Sequence, residues 1–387
     1  MAEFDIIVYG ATGYTGRLVA EYLAATYPGG LKWAMAGRSL TKLQQVRDEI
    51  GAPADIPLLT ANADDPAALL ALVGRTRCVI TTVGPYQLYG EPILAACVEA
   101  GTGYVDLCGE PAWMRQMIDK YDAAARASGA RIVFSCGFDS IPFDLGVWVA
   151  EQAAIERFGA PAPRVRGRIK QMKGTFSGGT AASAKASMAA AARDPSILKL
   201  LLDPFALTPG FAGPHQPNGA LPHYDEAVGA WVAPFVMAVI NTKNVHRTNA
   251  LAGHPYGTDF QYDEMMIAPG LGELGKAAAE AIARLPQIGQ GDGGPKPGEG
   301  PTKEEREAGL YEILFVAEMP DGKRVTATVT GDRDPGYGST SKMIAEAALC
   351  LVEEVSGPGG VFTPGAIMAP PLVKRLEAKA GLRFSVE

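Results

Sequence analysis

FDIIVYGATGYTG, residues 4–16, decides the fold. The run 4–9 is apolar with almost no polar alternation, and three glycines follow it at Gly10, Gly13 and Gly16. From Gly13 to Thr26 the pattern becomes helical. Strand, glycine-rich turn and helix in that order are the context in which a glycine fingerprint holds a dinucleotide. The G-x-x-G-x-x-G spacing departs from the G-x-G-x-x-G form, but the demands match. Gly10 permits the tight turn, Gly13 lets backbone approach a pyrophosphate, and Gly16 allows helix and strand to touch. The pyrophosphate then lies at the helix N-terminus, where unpaired N–H groups and the helix dipole favour anions. Gly10, Ala11, Thr12, Gly13, Tyr14, Thr15 and Gly16 are the first cofactor-binding candidates.

Five further apolar runs follow, at 31–36, 56–61, 78–83, 103–107 and 131–136, with helical patterns between them. Near-continuous apolar runs imply strands covered on both faces, and the alternation with helices predicts a parallel, doubly wound sheet. After about residue 140 the rhythm changes. Residues 141–158 read as a helix, 164–174 as a strand, 178–193 as an Ala/Ser-rich helix and 309–331 as a hairpin about Pro320-Asp321-Gly322. Residues 234–250 favour helix over strand, 257–268 read as a strand, and 273–285, 340–355 and 371–381 as helices. Residues 203–230 and 286–302 read as loops. The expected class is α/β: a Rossmann domain over 1–140, an α+β substrate domain over 141–335, and C-terminal helices over 336–387 packing back on the Rossmann domain.

The second run ends in Gly37, Arg38 and Ser39, with no acidic residue to grip ribose hydroxyls. Arg38 and Ser39, helped by Lys42, suit a 2′-phosphate, which favours NADP(H) over NAD(H). Thr82, Val83, Gly84 and Pro85 end the fourth run beside the cofactor's second half. Tyr86 or Tyr89 either faces substrate there or packs behind the turn. Ligands in such sheets bind outside the carboxyl strand ends. The loops YVDLCGEP and SCGFDSIPFDLG therefore offer Asp106, Cys108, Glu110, Gly137, Phe138, Asp139 and Ser140. Cys108 and Gly137 are counted with the cofactor contacts. The catalytic candidates are Tyr86 and Tyr337 as proton donors, with Asp106 and Asp139 in support. Each has a plain structural alternative: Asp139 or Ser140 capping the next helix, Asp106 satisfying loop N–H groups, and Ser177, Thr180, Ser339 or Thr340 capping theirs.

Formal net charge is −7, which gives no reason to expect nucleic acid as a partner. No apolar run approaches the ~18 residues of a membrane helix. Five cysteines with no CxxC pair and four histidines with no metal-ligand spacing predict reduced thiols and no metal site. A cytoplasmic protein is expected, with contact at the periphery of a membrane or lipid surface and a homodimer left open.

GATGYTG (10–16), AGRS (36–39), VGPY (83–86), YVDLCGE (104–110) and GFDSIPFDLG (137–146) together resemble the saccharopine dehydrogenase-like oxidoreductases. The likeness is nearest to their trans-acting enoyl reductase branch, and 178–180, 234–251, 336–351 and 359–368 extend it across nearly the whole chain. It implies a nicotinamide cofactor and reduction of C=C bonds in lipid-like acyl chains. Two other functions stay open. One is C=N reduction of the saccharopine or opine type, for which Arg164, Arg166, Arg168, Lys170 and Lys173 are the cations, although strand alternation sends many of them outward. The other is a non-catalytic NADP-binding protein of lipid surfaces.

Overall fold

Phe4–Tyr9 forms β1 in the computed structural model, which describes residues 2–175, 178–285 and 298–387. Along β1 the side chains of Ile6 and Val8 enter one buried cluster and those of Phe4, Ile7 and Tyr9 another, so both faces are covered. This is why the run lacks polar alternation. There follow α1 (Tyr14–Thr26), β2 (Trp33–Gly37), α2 (Leu40–Glu49), β3 (Leu58–Thr60), α3 (Pro66–Val73) and β4 (Thr76–Thr81). Next come α4 (Tyr86–Tyr89), α5 (Glu91–Ala100), β5 (Gly103–Val105), α6 (Pro111–Ser128), β6 (Arg131–Val133) and α7 (Ile141–Phe158). All six expected strands are present.

The second region contains β7 (Arg164–Lys173), α8 (Gly178–Arg193), α9 (Pro195–Leu202), β8 (His223–Asp225), β9 (Ala230–Pro234), α10 (Ala238–Leu251), β10 (Gln261–Ile267) and α11 (Gly272–Ala283). It continues through α12 (Lys303–Glu307), β11 (Leu310–Glu318), β12 (Arg324–Gly331), α13 (Thr340–Glu353), β13 (Gly360–Phe362), α14 (Pro364–Arg375) and β14 (Leu382–Val386). Residues 203–230, expected as loop, contribute β8. The apolar stretch 231–240 divides into strand and helix. The last helix begins at Pro364, ahead of the expected 371.

The first sheet has seven parallel strands in the order β13-β6-β5-β4-β1-β2-β3. The second is mixed, in the order β14-β12-β11-β7-β10-β9-β8. The chain's end thus supplies an edge strand to each sheet. Helix α7 joins the two regions and buries its face against the second sheet. It passes so close that a Cβ on Gly146 would lie 2.2 Å from the Phe315 ring. Helix α13 returns to pack on α1, β4 and β5. All five thiols are buried and free. No helix among the described residues is long and apolar enough to cross a membrane.

Helix α7 also buries two acids, Asp144 and Glu151. Asp144 accepts from the Gly365 N–H at 2.7 Å and Glu151 from the Ala162 N–H at 2.9 Å, while one oxygen of each has no partner. Burial pushes them up to about 7 and about 8. Between the ordinary carboxylate value near 4 and those values, the folded state holds protons that the unfolded chain has lost, so stability falls as pH rises through this window. The melting temperature is expected to drop by several degrees between about pH 5 and pH 8. Glu151→Gln should flatten the slope, and an unchanged pH profile in that variant contradicts the assignment.

Candidate active site

The turn from β1 to α1 is shaped by exclusion. Gly10 sits at φ +91°, and a Cβ on Gly16 would lie 2.2 Å from the Gly10 carbonyl oxygen and 2.8 Å from the Thr82 hydroxyl. Gly13 is different. Its φ is −79°, and the nearest atom to a Cβ there would be the Gly10 carbonyl oxygen at 3.3 Å. A Cβ there would be a tight fit but a far looser one than at Gly16. As N-cap of α1 it brings no side-chain acceptor, so the N–H groups of Tyr14, Thr15 and Gly16 find no partner within the helix. Free amides at a helix N-terminus, beside a position where a side chain would intrude, fit a diphosphate.

Residues from far along the chain close over this turn. The Tyr14 hydroxyl donates to the Pro301 carbonyl, and Arg306 donates to the Tyr14 hydroxyl at 3.0 Å and to the same carbonyl at 2.9 Å. Gly300 passes so near that a Cβ on it would meet the Tyr14 ring at 2.6 Å. Tyr337 packs edge-on against Tyr14 with centroids 5.1 Å apart, and its hydroxyl pairs with that of Thr180 at 2.8 Å. Helix α8 then runs beside the end of β4, where Gln87 donates to the Ser187 hydroxyl at 3.2 Å. Thr180 thus meets Tyr337, and Ser177 lies outside the described residues.

On the β2 side, Arg38 is exposed and makes no hydrogen bond or ion pair among the described residues. Ser39 caps α2 by accepting from the Lys42 N–H at 3.4 Å. Thr12 lies under Gly37, 3.7 Å from where a Cβ would stand. A cavity of about 250 Å³ between α1 and α2 is lined by Thr12, Gly13, Tyr14, Arg17 and Lys42. A dinucleotide laid across the switch point, where the strand order reverses between β1 and β4, would place its adenosine half on this side.

The other half must run over the ends of β4, β5 and β6. Thr82, Val83 and Pro85 are half-buried there and Gly84 is exposed. Several expected site residues are committed elsewhere. The Tyr86 hydroxyl donates to the Thr81 carbonyl at 3.1 Å and accepts from the Leu107 N–H at 3.0 Å, and burial pushes it well above its ordinary value. It ties β4 to the next loop and has no proton to spare for a substrate. Asp106 accepts from the N–H groups of Cys108 and Ser135 and from the Tyr104 hydroxyl. Glu110 accepts from the N–H groups of Tyr86 and Gln87. The buried Cys108 sulfur accepts from the Glu110 N–H at 3.4 Å. Gly137 packs against Leu107 and Thr340 rather than facing open space.

Asp139 stands apart. Its Oδ1 is buried without a partner, and burial pushes the acid up to about 7. Ser140 begins α7 without capping it and accepts from the Asn244 amide at 2.8 Å. Asn241, one turn earlier on α10, donates to Glu264 at 2.9 Å, and burial holds that acid well above the usual range, with Asp139 adding to it. Asn241, Asn244 and Glu264 were not foreseen. The available signal was NTKNVHRTN, a helical stretch polar on every side beside an apolar run. Thr340 and Ser339 do not cap α13. Thr340 binds the Pro335 carbonyl and the Phe138 N–H, Ser339 pairs with Tyr311, and Asp334 caps the turn instead.

Residues 6–133 match the family described as the saccharopine dehydrogenase NADP binding domain. A Mycobacterium tuberculosis protein, provisionally named a trans-acting enoyl reductase, is 40% identical over 97% of this chain and 96% of its own length. The trans-acting enoyl reductase of Mycobacterium ulcerans is 37% identical over the same shares. The chain belongs to the saccharopine dehydrogenase-like oxidoreductases, in their trans-acting enoyl reductase branch. The fold is shared with saccharopine dehydrogenase of Saccharomyces cerevisiae, at TM-score 0.55, 11% identity and 99% of both chains.

In this oxidoreductase four of the five β7 cations, Arg164, Arg166, Arg168 and Lys170, are already paired with acids of the chain. Arg164, Arg166 and Arg168 share one face of β7, where they line a cavity of about 420 Å³ together with Asp225, Asp263 and Arg324, and Arg168 is only 1% exposed. Arg168 pairs with Asp225 at 2.7 Å and Asp263 at 3.0 Å, Arg166 with Glu318 at 2.8 Å, and Arg164 with Asp263. Lys170 pairs with Glu312 at 2.8 Å. The expectation that alternation sends many of them outward holds for Lys170 and Lys173, which are exposed, and fails for Arg168, over which β8 and β10 bring Asp225 and Asp263.

The two glycines should separate in solution. Gly16→Ala is expected to cost about 3 kcal/mol of stability through overpacking against Gly10. Gly13→Val should cost less stability than Gly16→Ala while losing nucleotide affinity. Equal melting temperatures for Gly16→Ala and the parent protein would contradict the close approach.

Proposed function

We propose that the chain is an NADP(H)-dependent reductase acting on a conjugated C=C bond of an apolar acyl substrate. The observations that support the reading are an anion-ready helix end at the switch point and, in the loop after β6, Asp139, whose buried Oδ1 has no partner among the described residues. The coenzyme, when bound, supplies hydride to the β-carbon. The first turn of α1 holds the diphosphate and Arg38 faces the 2′-phosphate. Asp139, at about 7, carries a proton near neutrality and can give it up, which suits it to protonate the α-carbon as general acid. Tyr337 and Thr180 join the turn to α8, which limits water at the cleft.

The apolar character of the substrate is supported by the surroundings. Val83 and Ile240 present aliphatic carbon near the strand ends. Helix α9 exposes Leu198 and Leu202, and α4 exposes Leu88 and Tyr89, giving an acyl chain or a lipid surface something to lie against.

Mixing the protein with NADPH and a panel of acyl enoyl thioesters, and following the absorbance of the reduced coenzyme, tests this directly. Turnover is expected, and no oxidation across the panel contradicts it. Asp139→Asn should lower kcat about 100-fold or more while leaving NADPH affinity in place. Arg38→Ala should erode the preference for NADP(H) over NAD(H) by about 10- to 100-fold, read as a ratio of Kd values.

A further inference from the structure

Helix α10 is polar on most sides yet buried along nearly its whole length. Most of its polar groups have found partners inside the protein. Lys243 donates to the Leu201 carbonyl at 2.9 Å, Arg247 to the Leu207 and Val361 carbonyls at 2.6 Å each, and Thr248 pairs with Thr363 at 2.6 Å. Asn249 holds the Gly257 carbonyl and the Tyr256 N–H.

Among the described residues His246 Nε2 and Arg247 Nε have no partner, and neither do the amide oxygens of Asn241 and Asn244. Both asparagines are 0% exposed, and each spends its N–H group, on Glu264 and on the Ser140 hydroxyl respectively. The carbonyl oxygen of each is left without a partner. The two residues lie three apart, on one face of the helix. Asn244 is tied to the loop at the end of β6, and the neighbouring Ile240 reaches to 4.0 Å of a Cβ built on Gly109, in the loop after β5. Buried acceptors without donors are rare and costly, and here two belong to residues three apart on one helix, each fixed by its own donated bond.

The complement of two adjacent acceptors is a group with two N–H donors. The half of a dinucleotide that runs from the switch point toward β5 and β6 ends in one, the primary carboxamide of nicotinamide. We propose that the side-chain carbonyls of Asn241 and Asn244 accept the two N–H bonds of that carboxamide and so set which ring face meets the substrate. This rests on the dinucleotide reading above.

The 3-acetylpyridine analogue of NADP+ keeps the ring and its carbonyl but carries a methyl where the amide has NH₂. Calorimetric titration of the parent protein with each nucleotide should show the analogue binding about tenfold more weakly or worse. In Asn241→Ala and Asn244→Ala the affinity for NADP+ should fall to the analogue's level, while the analogue's own affinity stays within about twofold. Equal affinities in the parent protein, or a gap that persists in both variants, overturn the assignment while leaving the dinucleotide reading intact. The parent comparison decides the matter even if a variant does not fold. Failure of the protein to bind either nucleotide overturns both readings together.

Discussion

Gly16 has room for a hydrogen and nothing larger, because the Gly10 carbonyl and the Thr82 hydroxyl stand where a Cβ would be. That close approach sets the path of the chain from β1 into α1. It aims the helix N-terminus at the gap where the strand order reverses, and it brings the end of β4 against the same turn. With no side chain at Gly13 to cap them, the amides of the first helical turn have an anion as their natural partner. The remainder of the site is arranged around this end.

Four segments distant in sequence meet at the strand ends and the loops after them. Pro301 and Arg306 fasten Tyr14, Tyr337 and Thr180 join the returning chain to α8, and Asn241 with Asn244 closes the β6 side. The acids that remain on the strand ends divide by their partners. Asp106 and Glu110 are consumed by backbone N–H groups and hold loops in place. Asp139 has a buried oxygen with no such duty. The same residue type serves the frame in one place and is left for chemistry in the other.

The Rossmann strands were legible because two-sided burial removes alternation from their sequence, and the nucleotide turn because its chemistry is local to seven residues. Strands β13 and β14 were not, since the former is three residues long and both are made by pairing with distant edges. The substrate side was legible only in part. Asp139 was within reach of a motif reading, but Tyr86 and Asp106 look alike in sequence whether they face a ligand or a loop amide. The paired asparagines of α10 sit about a hundred residues from Ser140, and only the fold brings them together. The arginines of β7 show the converse: a cationic stripe in sequence becomes a neutralised layer once Asp225 and Asp263 arrive from other strands.

Amide hydrogen exchange with and without NADP+ tests the central claim most directly, since it reports on the backbone N–H groups themselves. Slowed exchange concentrated at the start of α1, over Thr12 to Arg17, with a second region at Thr82 to Gln87, is the expected result. A protein whose exchange over Thr12 to Arg17 is the same with saturating NADP+ as without would contradict the account.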